Sequence, residues 1–140
     1  MLYYTLERPD PIQNVTVEAL GSHWAFVTWS VPYNGNSEIM GYIVYIRNVQ
    51  RDSNFIAVMP SSNMGKRQTM SSQFITNSTS YNVTENILPA MPYQFTAVAC
   101  NELGCGELGQ LSPTILTGEE CKHIISYINI SLYIALYFSP

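Results

Sequence analysis

The residues of this chain with chemistry to offer are three cysteines, two histidines, ten carboxylates and a set of Asn-x-Ser/Thr sequons. Cys100 and Cys105 stand at the two ends of Asn-Glu-Leu-Gly, a turn sequence between apolar runs. A hairpin there places their Cα atoms within disulfide reach. Closing so small a loop is worth roughly 2 kcal/mol in chain entropy, and its main effect is to stiffen the hairpin tip. Two free thiols are the alternative, and C-x4-C alone is a poor zinc half-site with no partner pair nearby. Cys121 is then left over, either free or bonded to another chain.

Four sequons occur, Asn14-Val-Thr16, Asn77-Ser-Thr79, Asn82-Val-Thr84 and Asn129-Ile-Ser131, none with proline in the middle. Asn77, in a polar connection, is the best glycan acceptor, whereas Asn14 and Asn82 lie on or beside strands where only an outward side chain is modifiable. With the hairpin cysteines they tilt the compartment towards extracellular. Enzyme chemistry finds little support. His23 and His123 lie far apart in sequence and neither belongs to a metal or nucleophile motif, so both read as solvated or turn residues. The carboxylates are scattered singly apart from Glu119-Glu120, so spacing assigns no acid and base pair. Gly104-x-Gly106 with Gly109 turns strand into strand and offers an anion no helix N-terminus. No catalytic, cofactor-binding or metal-binding residue is expected.

Those residues need a scaffold, and composition limits the choice. The 140 residues are 46% hydrophobic and 12% aromatic but only 11% charged, with net charge −4. Soluble domains are typically about 25% charged. An acidic balance argues against nucleic acid as a partner, and the apolar content argues against disorder. Length allows one domain with a tail. Three cysteines are too few for a disulfide-dense scaffold, so the core itself must hold the fold. Every charged residue lies between Glu7 and Lys122, while His123 to Pro140 carries none. Met1 to Glu7 shows neither a basic n-region nor an apolar run, so the chain either stays inside the cell or is an internal piece of a longer secreted one.

Hydrophobic periodicity of two dominates. From Asn14, Val15, Val17 and Ala19 share one face of a first strand that closes at Leu20-Gly21. Trp24, Phe26 and Thr28 alternate with Ala25, Val27 and Trp29 in a second, stopped by Pro32 and the Tyr33-Asn34-Gly35-Asn36 turn. Ile39 to Arg47 is the strongest strand signal, rich in aromatic and β-branched residues. Phe55 to Met59 and Thr79 to Glu85 are shorter. Pro92 to Ala99 leads into the Asn101 to Gly106 turn and back through Leu108 to Leu116. Pro60 to Ser72 is a polar connection that contains the adjacent basic pair Lys66-Arg67. Seven short strands and no convincing helix predict an all-β fold, a seven-stranded antiparallel immunoglobulin-like β-sandwich.

Several of these residues, taken in order, resemble the fibronectin type III module. They are Pro11 before the first strand, Trp29 with Pro32 after it, and Ile39-x-Gly41-Tyr42-x-Val44-x-Ile46. The pattern ends with Ile87-Leu88-Pro89-Ala90-Met91-Pro92-Tyr93-x-Phe95-x-Ala97-x-Ala99-x-Asn101-x-x-Gly104-x-Gly106. The resemblance runs from about Asp10 to Gly118. It implies a structural core of Trp29, Tyr42, Tyr93 and Phe95, with Tyr93 in a tyrosine corner whose hydroxyl bonds to upstream backbone. Some extracellular modules of this kind carry a hairpin bridge like Cys100 to Cys105. Residues 1–9 then read as a linker or the end of a preceding module, an assignment supported by the echo of Thr5-Leu6-Glu7 in Thr117-Gly118-Glu119.

Residues 119–140 form a hydrophobic C-terminal tail. Ile124 to Phe138, as a helix at 1.5 Å per residue, spans only about 23 Å against a hydrocarbon core of about 30 Å. Its readings are a sequence foreign to the module, a truncated or marginal membrane anchor, or ordered packing on the domain. The functional expectation is a non-catalytic protein-binding or spacer module of an extracellular or cell-surface adhesion or receptor-type protein, flanked by similar modules and using no cofactor. Its partner would touch the tip residues Asn101, Glu102, Leu103 and Gly104, the Tyr33 to Ser37 turn, or the Lys66-Arg67 loop. The alternatives are an accessory domain of a receptor enzyme, such as a kinase or phosphatase, and an intracellular structural module of a cytoskeletal array. No Arg-Gly-Asp and no Trp-Ser-x-Trp-Ser motif points to a named ligand.

Overall fold

A computed structural model describes residues 3–51, 54–59 and 74–120. Within them the chain builds two antiparallel sheets. One holds β1 (Thr16–Leu20), β2 (Ala25–Thr28) and β5 (Ser80–Val83) in the order β1-β2-β5. The other holds β3 (Gly41–Asn48), β4 (Ile56–Ala57), β6 (Pro92–Asn101), β7 (Gly104–Cys105) and β8 (Ile115–Leu116), in the order β4-β3-β6-β7 with β8 also on β6.

The central pair explains most of the sandwich. β3 and β6 stay in register from Gly41 opposite Cys100 to Asn48 opposite Tyr93. Period-two alternation therefore stacks Tyr42, Val44 and Ile46 beside Ala99, Ala97 and Phe95, and all six are buried. From the facing sheet Ala25, Val27, Val83 and the adjacent Trp29 meet them, so one layer of apolar side chains fills the space between the sheets. Trp29 and Tyr42 touch across it, with ring centroids 5.4 Å apart and planes tilted by 59°. That tilted geometry suits two aromatic quadrupoles. Thr96, Val98 and Cys100, on the opposite phase of β6, are buried as well, as befits the strand at the centre of its sheet.

Two details depart from plain alternation. Val15 is buried and Val17 half-buried, but Ala19 is exposed, because a bulge between Val17 and Ala19 makes Glu18 the extra residue and slips the phase. The Glu18 carboxylate turns outward and accepts from the hydroxyls of Thr16 (3.1 Å) and Thr28 (3.2 Å). The second departure corrects the expected seventh strand. Leu108 to Leu116 is not one ladder: only Gly104–Cys105 and Ile115–Leu116 pair regularly, making eight strand segments in place of seven. Between them the N–H groups of Gly106, Gly109 and Ser112 donate to Ala99 O, Ala97 O and Phe95 O of β6, but that of Gln110 turns to Ile12 O (2.7 Å). Pro113 has no N–H to give. The edge thus divides its hydrogen bonds between β6 and the N-terminal segment. The all-β sandwich class is unchanged.

Candidate interaction surface

Three stretches distant in sequence converge at the end of the sandwich where β2 hands over to β3. The first is the turn at Tyr33 to Ser37. Asn34 Oδ1 accepts from the Asn36 N–H (3.0 Å), and Gly35 at φ +71° and Asn36 at φ +63° take the left-handed conformations such a turn needs. The second is the hairpin tip between β6 and β7, with Glu102 and Leu103 at its apex. The third is the segment from Thr5 to Asp10. It lies on the other two: the N–H of Glu7 donates to Gly35 O (2.9 Å) and that of Asp10 to Tyr33 O (3.0 Å), while Asn36 Nδ2 donates to Thr5 O (3.0 Å).

Asn101 ties the three together. Its Nδ2 donates to Glu7 O (2.7 Å) and Asn34 O (3.0 Å), and its Oδ1 accepts from the Leu103 N–H (2.9 Å). An amide with both N–H groups and its oxygen engaged is satisfied despite burial, and Asn101 is only 4% exposed. Of the tip residues expected to lie at a partner contact, Asn101 is the buried one, its side chain spent holding the tip in place. Close approach needs glycine here. A Cβ on Gly35 would lie 2.0 Å from Glu7 O, and one on Gly104, at φ +130°, would meet the Arg8 guanidinium at 3.0 Å.

The tip is closed by a disulfide between Cys100 and Cys105, which face each other in register across the β6–β7 pair. Glu102 and Leu103 project from it and are exposed, while Gly104 is half-buried under Arg8. Met40, Phe74 and Leu103 line a hollow beside the bridge. Lys66 and Arg67 lie outside the described residues, as does Cys121 with the tail from 121 to 140. Among the described residues no helix is long and apolar enough to cross a membrane.

The remaining candidate residues sit in the body of the sandwich or on its surface. Trp29, Tyr42, Tyr93 and Phe95 are all buried. Burial pushes the Tyr42 hydroxyl above the ordinary tyrosine range. Tyr81 is raised likewise, first by burial and then by the charge of Glu85. The Tyr93 hydroxyl accepts from the Leu88 N–H (2.9 Å), five residues upstream. Asn14, Asn77 and Asn82 are exposed. At the opposite end, His23 Nε2 lies 2.5 Å from Glu120 Oε1 and Nδ1 lies 3.2 Å from Ile87 O, so this turn histidine links Glu120 to the loop between β5 and β6. No group of three or more His, Cys, Asp or Glu placed to hold a metal occurs among the described residues.

Sequence reasoning missed two groups of contributors. Arg8 and the carbonyls of Thr5 and Glu7 lie in the stretch that reads as linker, and nothing in their types marks them as neighbours of Gly104, Asn36 and Asn101. Ser112 and Thr117 are buried hydroxyls that satisfy backbone ends. Ser112 Oγ accepts from the Phe95 N–H (2.9 Å), and Thr117 Oγ1 accepts from the Met91 N–H (3.0 Å) and donates to Leu88 O (2.6 Å). A polar residue on the inward phase of an otherwise apolar run was the available signal.

Comparison with known proteins agrees with this architecture. Protein sidekick-1 of Mus musculus is 28% identical over 118 residues, covering 82% of this chain but 5% of that protein, so the chain spans a small part of the curated relative it matches. Domains A168–A170 of titin superpose with a TM-score of 0.66 at 24% identity, over 81% of this chain and 33% of that one. The FN1–FN3 domains of chicken CNTN1 give 0.63 at 24% identity, over 79% and 33%. At these identities the solved structures speak for the fold. The family model described as Fibronectin type III domain matches residues 10–115, and the chain, with its paired sheets, buried tryptophan and tyrosine corner, belongs to the fibronectin type III domain family.

Proposed function

We propose that this chain is a non-catalytic binding or spacer module of an extracellular or cell-surface protein, working in series with neighbouring modules and presenting its disulfide-closed hairpin tip to a protein partner. The observation that carries this reading is the Cys100 to Cys105 bridge beside the Tyr33 to Ser37 turn. Bridges persist in oxidising compartments and are rare where thiols are kept reduced. A rigid scaffold that holds exposed side chains at loop tips is how sandwiches present contact surfaces. Glu102 and Leu103 are the exposed pair at this tip. The multi-domain titin and CNTN1 structures it resembles support a place in a series of modules. The docked segment at Thr5 to Asp10 gives a preceding module a fixed point of attachment.

The intracellular-array reading draws on the same fold likeness to titin, and the thiols separate the two. Secreted material analysed by non-reducing mass spectrometry should carry Cys100 and Cys105 as a bridge. Free thiols at both positions in secreted protein would overturn the extracellular reading. Binding is distinguished from spacing by adhesion of cells to the immobilised module: Leu103→Ala together with Glu102→Ala should weaken adhesion severalfold, and unchanged adhesion assigns the module to spacing.

A further inference from the structure

The three sequons among the described residues sit in different surroundings. Asn14 occupies φ +57°, its N–H donates to Gln110 Oε1 (2.8 Å) and its Nδ2 donates to Ser30 Oγ (3.0 Å), so its amide is already engaged within the module. Asn82 lies inside β5 opposite Phe26, its sequon extended along a sheet. Asn77 is exposed on a bend whose position is set from both sides. Tyr42 donates its N–H to Thr76 O (2.8 Å), and the Ser78 N–H donates to Thr76 Oγ1 (3.0 Å). The sequon threonine is held as well, because Thr79 O accepts from the Trp29 N–H (3.0 Å).

This anchored asparagine lines a shallow cleft of about 890 Å³, wide open to solvent, together with Tyr4, Val31, Pro32, Tyr33 and Glu38. Val31 is 65% and Tyr33 48% exposed. Ring and aliphatic faces lie there beside carboxylate and amide groups. A pyranose matches that mixture, having an apolar C–H face and a rim of hydroxyl and acetamido groups. The apolar face suits the flat side of a tyrosine ring. A sugar tethered at Asn77 also avoids the loss of translational freedom that a free ligand would suffer.

We propose that Asn77 carries an N-linked glycan whose first N-acetylhexosamine lies in this cleft against Tyr33. The proposal rests on the extracellular reading given above. In the transfer, the Asn77 amide nitrogen bonds to the anomeric carbon of a polyprenyl-diphosphate-linked oligosaccharide. The bond from that carbon to the diphosphate oxygen breaks, the polyprenyl diphosphate leaves with the electron pair, and the amide gives up one proton. Nothing is oxidised or reduced. The seated sugar covers Val31 and Tyr33, which left bare would add to an exposed apolar patch, and leaves Leu103 open at the hairpin tip for a protein partner.

The test uses the full chain secreted from eukaryotic cells behind a cleavable leader. Enzymatic glycan release in heavy-oxygen water, followed by peptide mass spectrometry, should mark Asn77 in most molecules, and Asn77→Gln should remove that glycan. Trimming the glycan to its first sugar should leave Tm about 3 °C above that of Asn77→Gln, a shift of the size a sub-kcal/mol contact gives in a domain of this length. Tyr33→Phe, which keeps the ring, should retain the shift. Tyr33→Ala, a change at an exposed side chain, should lose it while Asn77 remains occupied. Unmodified Asn77 in protein whose Cys100 and Cys105 are bridged overturns this inference and leaves the extracellular reading standing. Unmodified Asn77 with both thiols free overturns both. An occupied Asn77 whose sugar does not change Tm in the unsubstituted chain overturns the seat in the cleft.

Discussion

The middle of the sandwich and the end that carries the hairpin tip are built on different physics. In the middle, Trp29, Tyr42, Phe95 and their neighbours are held by burial of apolar surface, which is non-directional and shared among many contacts. At the tip, three stretches of chain are joined by backbone hydrogen bonds and the carboxamides of Asn36 and Asn101, of which Asn101 reaches all three, and these bonds are directional and few. A core of the first kind tolerates change if volume and phase are kept. A junction of the second kind fails when one side chain is lost, because buried donors and acceptors are left unpaired. Such a module can therefore keep its scaffold while its hairpin end is loosened or reshaped.

That contrast can be broken most directly in the core. Trp29→Ala should cost about 3–5 kcal/mol, the range for a buried aromatic truncated to alanine, read as a lower midpoint in urea. A variant as stable as the parent would mean that the ring between the sheets contributes nothing and that the core is held elsewhere. At the tip, Asn101→Ala should cost about 1–3 kcal/mol for the groups it strands, with a more local signature. Hydrogen exchange at the Glu7 and Asp10 amides should accelerate far more than at the Val44 amide in β3. Equal acceleration at all three would show that the junction and the core open as one unit, erasing the distinction between them.

The smallest effect concerns pH. Burial raises the Tyr42 hydroxyl above its ordinary value of 10.0, so the folded chain holds this proton more tightly than the unfolded one. Its contribution is then fully present below pH 10 and is lost as pH rises through the folded value. Urea midpoints measured from pH 8 to 11 should fall at the alkaline end, and Tyr42→Phe should flatten that fall. An identical alkaline slope in the variant would assign the loss to other groups.

Much of the middle is legible in the sequence, because alternation of apolar and polar residues is a local signal. Tyr42, Val44 and Ile46 on β3, or Phe95, Ala97 and Ala99 on β6, can be assigned to one face by counting in twos. The aromatic residue after Pro89 marks the corner in the same local way. Where local rules failed, a long-range contact had intervened. Ala19 left its face because Glu18 was inserted as a bulge. The edge from Leu108 to Leu116 broke up because the Gln110 N–H bonds to Ile12 O and not to a β6 carbonyl. Asn101 looked like a polar loop residue, and only its nearness to Glu7 and Asn34 makes it a clamp.

From the sequence alone, then, came the sandwich class, the inward phase of the main strands and the pair of cysteines able to meet across a hairpin. All of these follow from spacing within a few residues, where backbone geometry fixes which side chains share a face. Tertiary structure decided that the turn at Tyr33, the bridged tip and the segment before Asp10 form one surface, and that Asn77 opens on a cleft beside Tyr33. Those neighbours lie tens of residues apart, and only the docking of the two sheets brings their backbone polar groups and side chains within reach.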